Sequence, residues 1–263
     1  MTIMKRRDFL KNLGLVTAGV AAGSIVPDNV AHAAGLPTFN DPNPSEPVPG
    51  SLNDVALPIR SLEPQVDHTV TVVVVGAGSR GNVYGNYALK FPGKVKFVGV
   101  SDINPERKEA FARKHGIPKE HCFGDFHEIL AVPKFADAMV ISTPDDLHYE
   151  PCMKALELGY DVLLEKPAAQ TEKECRDILA QSRKYGRIVA VCHVLRYAPY
   201  FLALREMIRK GAIGDLVSIQ HLEPIQYEHM AHSYVRGNWR DSRQTTPIIL
   251  AKSCHDLDII RWI

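Results

Sequence analysis

The stretch 69-TVTVVVVGAGSRGNVYGNYALKF-91 decides the fold of this chain. Its four consecutive valines, residues 72–75, form a β-branched run typical of a strand buried on both faces of a parallel sheet. A glycine-rich turn, residues 76–81, follows at once, and the sequence after it is compatible with a helix. The order strand, tight turn and helix predicts the first unit of a doubly wound α/β fold.

The glycines of this turn have the G-x-G-x-x-G spacing found where a dinucleotide pyrophosphate meets a helix N-terminus. Gly76 permits the tight turn, Gly78 lets the backbone approach the phosphates, and Gly81 allows the helix to pack closely on the strand. Ser79 and Arg80 complete the turn, so we predict that all five residues contact a cofactor. The spacing alone is weak evidence, because glycine-rich turns are common.

A second strand-like segment, 95-VKFVGVSD-102, ends in Asp102, about 20 residues beyond the last glycine. A carboxylate at this position accepts hydrogen bonds from the ribose hydroxyls and repels a 2′-phosphate, which predicts NAD rather than NADP. The nearby Arg107 leaves NADP open as an alternative. Taken alone, Asp102 also fits a solvated residue at a strand end.

Helical and strand patterns continue to alternate along the chain. The predicted helices are residues 104–116, 146–159 and 171–186, and the predicted strands are residues 136–143, 160–166 and 187–194. This alternation predicts right-handed crossovers and a Rossmann domain over residues 69–194. Because ligands bind beyond the carboxyl ends of such strands, the candidate site residues lie at and directly after these ends: Ser142, Thr143, Pro144, Glu165, Lys166, Pro167 and residues 193–197, which include Arg196 and Tyr197.

The composition excludes several functional classes. The 263 residues carry a net charge of +1 without a basic run beyond the N-terminus, so a nucleic-acid surface is not indicated. The five cysteines are scattered and odd in number, which argues against a disulfide scaffold or a zinc ribbon. His229 and His232 match no compact zinc pattern, and we expect no metal.

The N-terminus has the composition of an export signal. Arg6 and Arg7 precede an uncharged Gly/Ala/Val-rich stretch that is short for a membrane span, and small residues around position 33 suit cleavage. Residues 1–33 therefore resemble a twin-arginine signal peptide, which predicts an exported, periplasmic protein without a stable membrane span. The repeated prolines of residues 34–68 indicate an extended linker or arm.

Several motifs together resemble the Gfo/Idh/MocA family of nicotinamide-dependent oxidoreductases, which act mostly on sugars and cyclitols. The resemblance runs from about Val70 to the last residue and rests on VVVVGAGSRG, VSD, STPDDLHYEP, LLEKPAA, VLRYAP and CHDLDIIRW. It implies that Thr143, Pro144, His148 and Glu165 lie beside the cofactor. It also implies that residues 195–263 begin an α+β open-sheet substrate domain, with a strand starting near residue 216.

The resemblance makes Lys166 a catalytic residue. An ammonium just past a parallel strand can hydrogen-bond a substrate hydroxyl and help to take its proton as hydride leaves the carbon. Glu165 would orient this lysine or the backbone, and the resemblance implies a cis bond between Lys166 and Pro167. An exposed lysine after a strand is the alternative.

The resemblance makes His255 the second catalytic residue. The family commonly has an aspartate four residues earlier, where this sequence has Ala251. On one continuous helix, Lys252 would share a face with His255. Either His255 acts without the aspartate, or Lys252 takes a different role as a substrate-binding residue that holds a hydroxyl or carboxylate. A buried structural histidine is the alternative for His255, and Asp256 and Asp258 are expected to satisfy backbone groups or pair with Arg261.

Family members usually continue for well over a hundred residues beyond the helix that bears His255. The resemblance therefore implies that the substrate domain is incomplete in this chain and that the full-length form is a homo-oligomer. Three functions follow. The first is an NAD(P)-dependent oxidoreductase of a sugar or cyclitol, and the second is an NAD-dependent glycosidase or lyase that works by transient ring oxidation. The third is a truncated, non-catalytic remnant that binds the cofactor.

Overall fold

In the computed structural model, which describes residues 68–237, 239–241 and 245–263, one parallel sheet forms the centre of the molecule. Its strand order is β3-β2-β1-β4-β5-β6, so strands are added outward on one side up to β3 and on the other side from β4 onward. This is the order of a doubly wound Rossmann sheet, which confirms the predicted fold class. The strands are β1 (Val70–Val75), β2 (Val95–Ser101), β3 (Cys122–Phe123), β4 (Ala138–Ile141), β5 (Asp161–Leu164) and β6 (Val189–Val191).

Helices cross between these strands and are ended by local signals. Asn104 accepts a hydrogen bond from the backbone N–H of Arg107 at the start of one helix, and Thr171 forms a capping box with Glu174 at the start of another. Gly186 ends the latter helix with a φ of +60°, a conformation that favours glycine. The helices are α1 (Ser79–Lys90), α2 (Pro105–His115), α3 (Phe126–Ala131), α4 (Tyr149–Glu157) and α5 (Glu172–Tyr185).

The core lies on both faces of the sheet because β1 is buried on both. Val72 and Val74 pack against Phe97 and other side chains in one apolar cluster, whereas Val73 and Val75 belong to the cluster on the opposite face. This is the arrangement predicted from the valine run. Burial of the central strands fixes their carboxyl ends, so the turns that follow them meet at one edge of the sheet.

Beyond β6 the regular elements of the described chain are all helical. Its elements are α6 (Pro199–Arg209), α7 (Tyr227–Met230), a π-helical turn (Ala231–Val235), α8 (Ile248–Ala251) and α9 (Cys254–Trp262). The strand predicted near residue 216 is not present: the described residues 215–226 pair with no other strand. Val217 is 94% exposed and Leu222 is 76% exposed, because this segment has no sheet to bury its apolar side chains.

The predicted helix around His255 is also interrupted. A turn at Lys252 and Ser253 separates α8 from α9, and Lys252 has a φ of −114°, outside the helical range. Lys252 and His255 therefore do not share one continuous helix. The apolar pattern correctly predicted helical structure on both sides of this turn. Hydrophobic periodicity cannot, however, detect one turn that interrupts the backbone hydrogen bonds of a helix.

The described residues contain no helix long and apolar enough to cross a membrane. The predicted signal peptide, residues 1–33, lies outside the described residues. Residues 34–67 of the predicted linker lie outside them as well.

Candidate active site

The glycine-rich turn lies at the carboxyl end of β1, and two of its glycines are required by close backbone contacts. Gly76 has a φ of +92°, and a Cβ there would lie 2.7 Å from the carbonyl oxygen of Ser142. A Cβ on Gly81 would collide with the carbonyl oxygen of Gly76. A Cβ on Gly78, by contrast, would have no atom within 4 Å among the described residues. The turn is therefore in close contact with the protein at Gly76 and Gly81. It has open space at Gly78, where a pyrophosphate would meet α1.

The first turn of α1 also contains the other two predicted cofactor residues of this loop. Ser79 is exposed at the helix N-terminus. Arg80 is half-exposed, and its Nε lies 3.4 Å from Oε1 of Glu165. Arg80 therefore links the glycine-rich turn to the end of β5.

Asp102 follows β2 and stabilises the glycine-rich turn. Its carboxylate accepts the backbone N–H of Ala77 at 2.7 Å and the backbone N–H of Asn104 at 2.8 Å. The side chain is 8% exposed, so these bonds fix its orientation. Because each carboxylate oxygen has a further lone pair, Asp102 can hold the turn and still accept a ribose hydroxyl.

The turn after β4 contacts the glycine-rich turn through Ser142, whose hydroxyl donates to the carbonyl oxygen of Gly76 at 2.7 Å. Thr143 and Pro144 follow, and the Thr143 hydroxyl donates to the carbonyl oxygen of Leu147 at 2.8 Å. Pro144 is exposed. These residues form the wall beside Gly76 on the side where β4 ends.

His148 lies beneath this wall, not in it. The side chain is fully buried, with Nδ1 2.7 Å from the carbonyl oxygen of Pro167 and Nε2 3.0 Å from that of Thr143. Both ring nitrogens are thus occupied by the backbone, so His148 joins the turns after β4 and β5. The sequence motif correctly places His148 near the predicted site. Because the side chain is fully buried, it connects two turns and does not face a ligand directly.

Glu165 is the centre of a buried polar network at the end of β5. Tyr84, which is fully buried on α1, donates its phenol proton to Oε1 at 2.5 Å. The other carboxylate oxygen accepts the backbone N–H of Lys166 at 3.2 Å. Burial raises the pKa of Tyr84 well above its usual value, so the phenol remains a donor. Helical spacing in the sequence indicates only that Tyr84 is a core residue, and its role here was not predicted.

Lys166 follows Glu165 and reaches across to the second half of the chain. Its ammonium donates a hydrogen bond of 2.7 Å to the carbonyl oxygen of Ala251, 85 residues away. The Lys166–Pro167 peptide is cis, as the resemblance implied. The structure therefore brings Lys166 to the last residue of α8, directly before the turn that leads to His255.

His255 is partly buried on α9. Its Nδ1 has no hydrogen-bond partner among the described residues. Burial, followed by the positive charges of Lys166 and other neighbouring groups, lowers the pKa of His255 to about 3. The imidazole is therefore neutral at neutral pH and carries a free acceptor or donor position.

Two residues predicted to bind substrate lie on the β6 side of this cluster. Arg196 forms a two-pronged ion pair with Asp258, with 2.6 Å between Nε and Oδ2. This pairing corrects the expectation that Asp258 would bond Arg261. Tyr197 is half-buried, and burial raises the pKa of its phenol. The ion pair between Arg196 and Asp258 thus connects α9 to the turn after β6.

Lys252, the third residue predicted to bind substrate, lies in the turn between α8 and α9. Its ammonium is 3.7 Å from Oε1 of Glu223. Glu223 groups with His221 and Asp256, whose ligand atoms lie within 4.8 Å of one another. His221 hydrogen-bonds Asp256 at 2.9 Å, and the Lys252 ammonium already supplies a positive charge to this group. His229 and His232 lie outside it and are exposed.

Asp145 is a buried residue that the sequence did not single out. Its carboxylate accepts the indole N–H of Trp239 at 2.9 Å and also accepts the hydroxyl of Thr246. These donors are 94 and 101 residues away in sequence. Through these hydrogen bonds Asp145 connects the segment before α8 to the turn after β4.

Residues 70–193 match a family model described as GFO_IDH_MocA: oxidoreductase family, NAD-binding Rossmann fold. The inositol 2-dehydrogenase/D-chiro-inositol 3-dehydrogenase of Lactiplantibacillus plantarum is 26% identical over 197 residues, which are 74% of this chain and 53% of the relative. The inositol 2-dehydrogenase of Klebsiella pneumoniae is 29% identical over 191 residues, 72% of this chain and 53% of the relative. The chain thus spans about half the length of these curated relatives.

Solved structures have the same fold. The scyllo-inositol dehydrogenase of Lactobacillus casei, solved with bound NAD(H) and scyllo-inositol, superposes with a TM-score of 0.63 at 22% identity, covering 74% of this chain and 56% of that one. The WlbA dehydrogenase of Bordetella pertussis, in complex with NADH and UDP-GlcNAcA, superposes with a TM-score of 0.61 at 22% identity, covering 76% and 58%.

Proposed function

We propose that this chain carries the cofactor site and catalytic residues of a dehydrogenase acting on a sugar or cyclitol CH–OH group. Its residues 70–193 match the model of the Gfo/Idh/MocA oxidoreductase family with its NAD-binding Rossmann fold. The observation that carries the proposal is the contact between the Lys166 ammonium and the carbonyl oxygen of Ala251 at 2.7 Å. Through this contact a lysine at the end of β5 meets the segment that bears His255.

The residues around the glycine-rich turn fit NAD. The open space beside Gly78 and the free N–H groups of α1 suit a pyrophosphate. The fixed carboxylate of Asp102 suits ribose hydroxyls and disfavours a 2′-phosphate, which supports NAD over NADP. When bound, NAD supplies the acceptor for the hydride that leaves the substrate carbon.

Lys166 and His255 would handle the hydroxyl proton. The Lys166 ammonium uses one N–H on Ala251 and keeps two to donate to a substrate oxygen, which stabilises negative charge as it develops there. The neutral imidazole of His255 can accept the proton. An imidazole with a pKa of about 3 is a weak base, so His255 depends on Lys166 to acidify the hydroxyl first.

The relatives support a polyol substrate. Both curated relatives are inositol dehydrogenases, and a cyclitol offers a ring of CH–OH groups for oxidation. Because the chain covers about half of each relative, the substrate class is a proposal for this protein.

The test is NADH formation by the purified protein with NAD and a panel of inositols, aldoses and nitrophenyl glycosides. We expect NADH absorbance to rise with at least one compound and the rise to be lost in Lys166→Ala. Lys184→Ala is the matched control, because Lys184 is exposed at the end of α5 with its ammonium 4.9 Å from the ring centre of Tyr185. An equal loss in both variants would refute the role of Lys166.

The same panel separates the alternatives. Release of nitrophenol that requires NAD but forms no net NADH would identify a glycosidase that oxidises its substrate transiently. Binding of NAD without turnover of any compound would leave a cofactor-binding remnant.

We also propose that residues 1–33 direct export by the twin-arginine route and that the protein is a homo-oligomer. Arg6 and Arg7 before the apolar stretch support export. Replacing both by lysine should keep the protein in the cytoplasm of a bacterial host, and unchanged export would contradict the route. Light scattering on the purified protein would test the oligomer, and a monomeric mass would contradict it.

A further inference from the structure

His193 lies at the proposed site, directly after β6. Because β5 and β6 are parallel neighbours in the sheet, Lys166 after β5 and His193 after β6 lie at the same carboxyl edge, where ligands of this fold bind. His193 is the central residue of an inverse γ-turn, with a φ of −77° and a ψ of 73°. A 2.9 Å hydrogen bond from the backbone N–H of Val194 to the carbonyl oxygen of Cys192 closes this turn. The backbone therefore fixes the position of His193 at this edge.

The rings of His193 and His255 form a pair. Their centres lie 6.0 Å apart, and their planes meet at 82°. Nδ1 of each ring is buried and has no hydrogen-bond partner among the described residues. Buried polar atoms normally have a partner, and leaving one without costs about 1–3 kcal/mol. Two hydrogen bonds of about 2.8 Å span up to about 5.6 Å, so one oxygen atom can bridge two imidazoles at this separation.

His193 also has a carboxylate neighbour. Its Nε2 lies 3.8 Å from Oδ1 of Asp258, whose side chain is 10% exposed and is held in place by Arg196. A carboxylate beside Nε2 favours the tautomer with the proton on that nitrogen, which leaves Nδ1 as an acceptor. For His255, the position at which the family resemblance implies an aspartate partner is Ala251. At this site a carboxylate therefore lies beside the imidazole of His193.

Neither imidazole retains a proton at neutral pH. Burial, and then the positive charge of Lys166, lowers the pKa of His255 to about 3. Burial also lowers the pKa of His193; Asp258 opposes this shift, whereas Arg196 and Lys166 add to it. The His193 side chain is 24% exposed, so a proton that reaches this ring can pass to solvent.

We propose that His193 is a proton-relay residue that carries the substrate proton from His255 to solvent. The inference rests on the proposed dehydrogenase function and deepens it by assigning the path of the proton.

The steps of the relay balance. Hydride leaves the substrate carbon for NAD, the hydroxyl O–H bond breaks, and a carbonyl group forms while the proton passes to His255. A water molecule or a second substrate hydroxyl between the rings then takes this proton and gives one of its own to Nδ1 of His193. The carboxylate of Asp258 stabilises the imidazolium that forms, until His193 releases a proton to solvent.

The test replaces His193 and measures turnover of the compound that reacts fastest in the panel of inositols, aldoses and nitrophenyl glycosides, at saturating NAD. We expect His193→Gln to lower kcat about 100-fold, the lower end of the contribution of general acid–base catalysis, and to leave KM largely unchanged. Imidazole added to His193→Ala should restore most of the lost rate. The triazole 1,2,4-triazole, a ring of the same size and a much weaker base, should not. His127→Gln is the matched control, because His127 is an exposed histidine 3.6 Å from a carboxylate oxygen of Glu150, and it should leave kcat unchanged.

A second measurement on the unsubstituted, NAD-loaded protein does not need turnover. Long-range nitrogen–proton NMR of the histidine-labelled protein identifies which ring nitrogen carries the proton, and the signal lost in His193→Gln assigns the residue. We expect the proton of His193 on Nε2, beside Asp258.

The outcomes separate the relay from the proposed function. An unchanged kcat in His193→Gln, or a loss in His193→Ala that triazole restores as well as imidazole does, would overturn the relay while the dehydrogenase stands. A proton on Nδ1 of His193 would overturn the relay whatever the activity. Absence of turnover of every compound by the unsubstituted protein would overturn the dehydrogenase, and the relay with it.

Discussion

Replacing Tyr84 by phenylalanine tests the polar network beneath the proposed catalytic lysine. The substitution keeps the buried ring and removes the hydroxyl that donates to Glu165 at 2.5 Å. A hydrogen bond to a charged group contributes about 1.5–3 kcal/mol, and its loss leaves a buried carboxylate one donor short. For a chain of this size we expect the melting temperature to fall by roughly 3–12 °C.

Tyr160→Phe is the matched control, because Tyr160 is also fully buried and its hydroxyl meets a neutral partner, the backbone N–H of Phe135, at 3.2 Å. Its loss should cost about 0.5–1.5 kcal/mol. Urea unfolding measures both values. In a Glu165→Gln background, Tyr84→Phe should cost about 1 kcal/mol, since the acceptor is then neutral. A Tyr84→Phe loss no larger than that of Tyr160→Phe would refute the argument that Glu165 is held as a buried carboxylate.

Other substitutions test single elements of the site. Gly78→Ala should cost about 1 kcal/mol of stability or less, since no atom lies within 4 Å, but should raise the Kd for NAD at least about ten-fold in calorimetry. Burial lowers the pKa of His115 from 6.5 to about 4, so the unfolded state binds more protons in that range and stability falls as pH drops through it. His115→Leu should reduce the stability difference between about pH 7.5 and pH 4 by up to about 3 kcal/mol in urea unfolding, and an unchanged difference would contradict this. Asp145→Ala should cost about 1–3 kcal/mol and shift Trp239 fluorescence to the red, whereas Asp146→Ala, at an exposed neighbour, should do neither.

The Rossmann part could be predicted from sequence because its signals are local. The valine run of β1 indicates burial on both faces, and Gly186 after α5 supplies the left-handed residue that ends a helix. Each signal lies within a few residues of the structure that it determines. The same holds for Gly76, whose tight turn follows directly from its position after a buried strand.

The site beyond β6 was less predictable because its contacts join distant residues. Arg196 was predicted to bind substrate, yet its guanidinium pairs with Asp258, 62 residues away. His148 was assigned to the cofactor, yet backbone carbonyls occupy both of its ring nitrogens. A motif identifies the turn in which a polar side chain lies, but tertiary packing decides whether that side chain faces the ligand or supports the turn from below.

Lys166 has two proposed roles, in catalysis and in holding α8, which a simple activity assay cannot separate. Both buried apolar clusters lie between Val70 and Val194, so the segment that bears His255 is held by other contacts, which include the burial of Ala251 and Ile259 and several polar contacts. The hydrogen bond from Lys166 to Ala251 is one of the polar contacts, and its loss should loosen α8 as well as remove the proposed catalytic ammonium. Hydrogen exchange in Lys166→Ala should therefore be faster for the amides of α8 and unchanged in β1. Unchanged exchange in α8 would show that the lysine does not hold this segment, and a loss of activity would then belong to the chemistry alone.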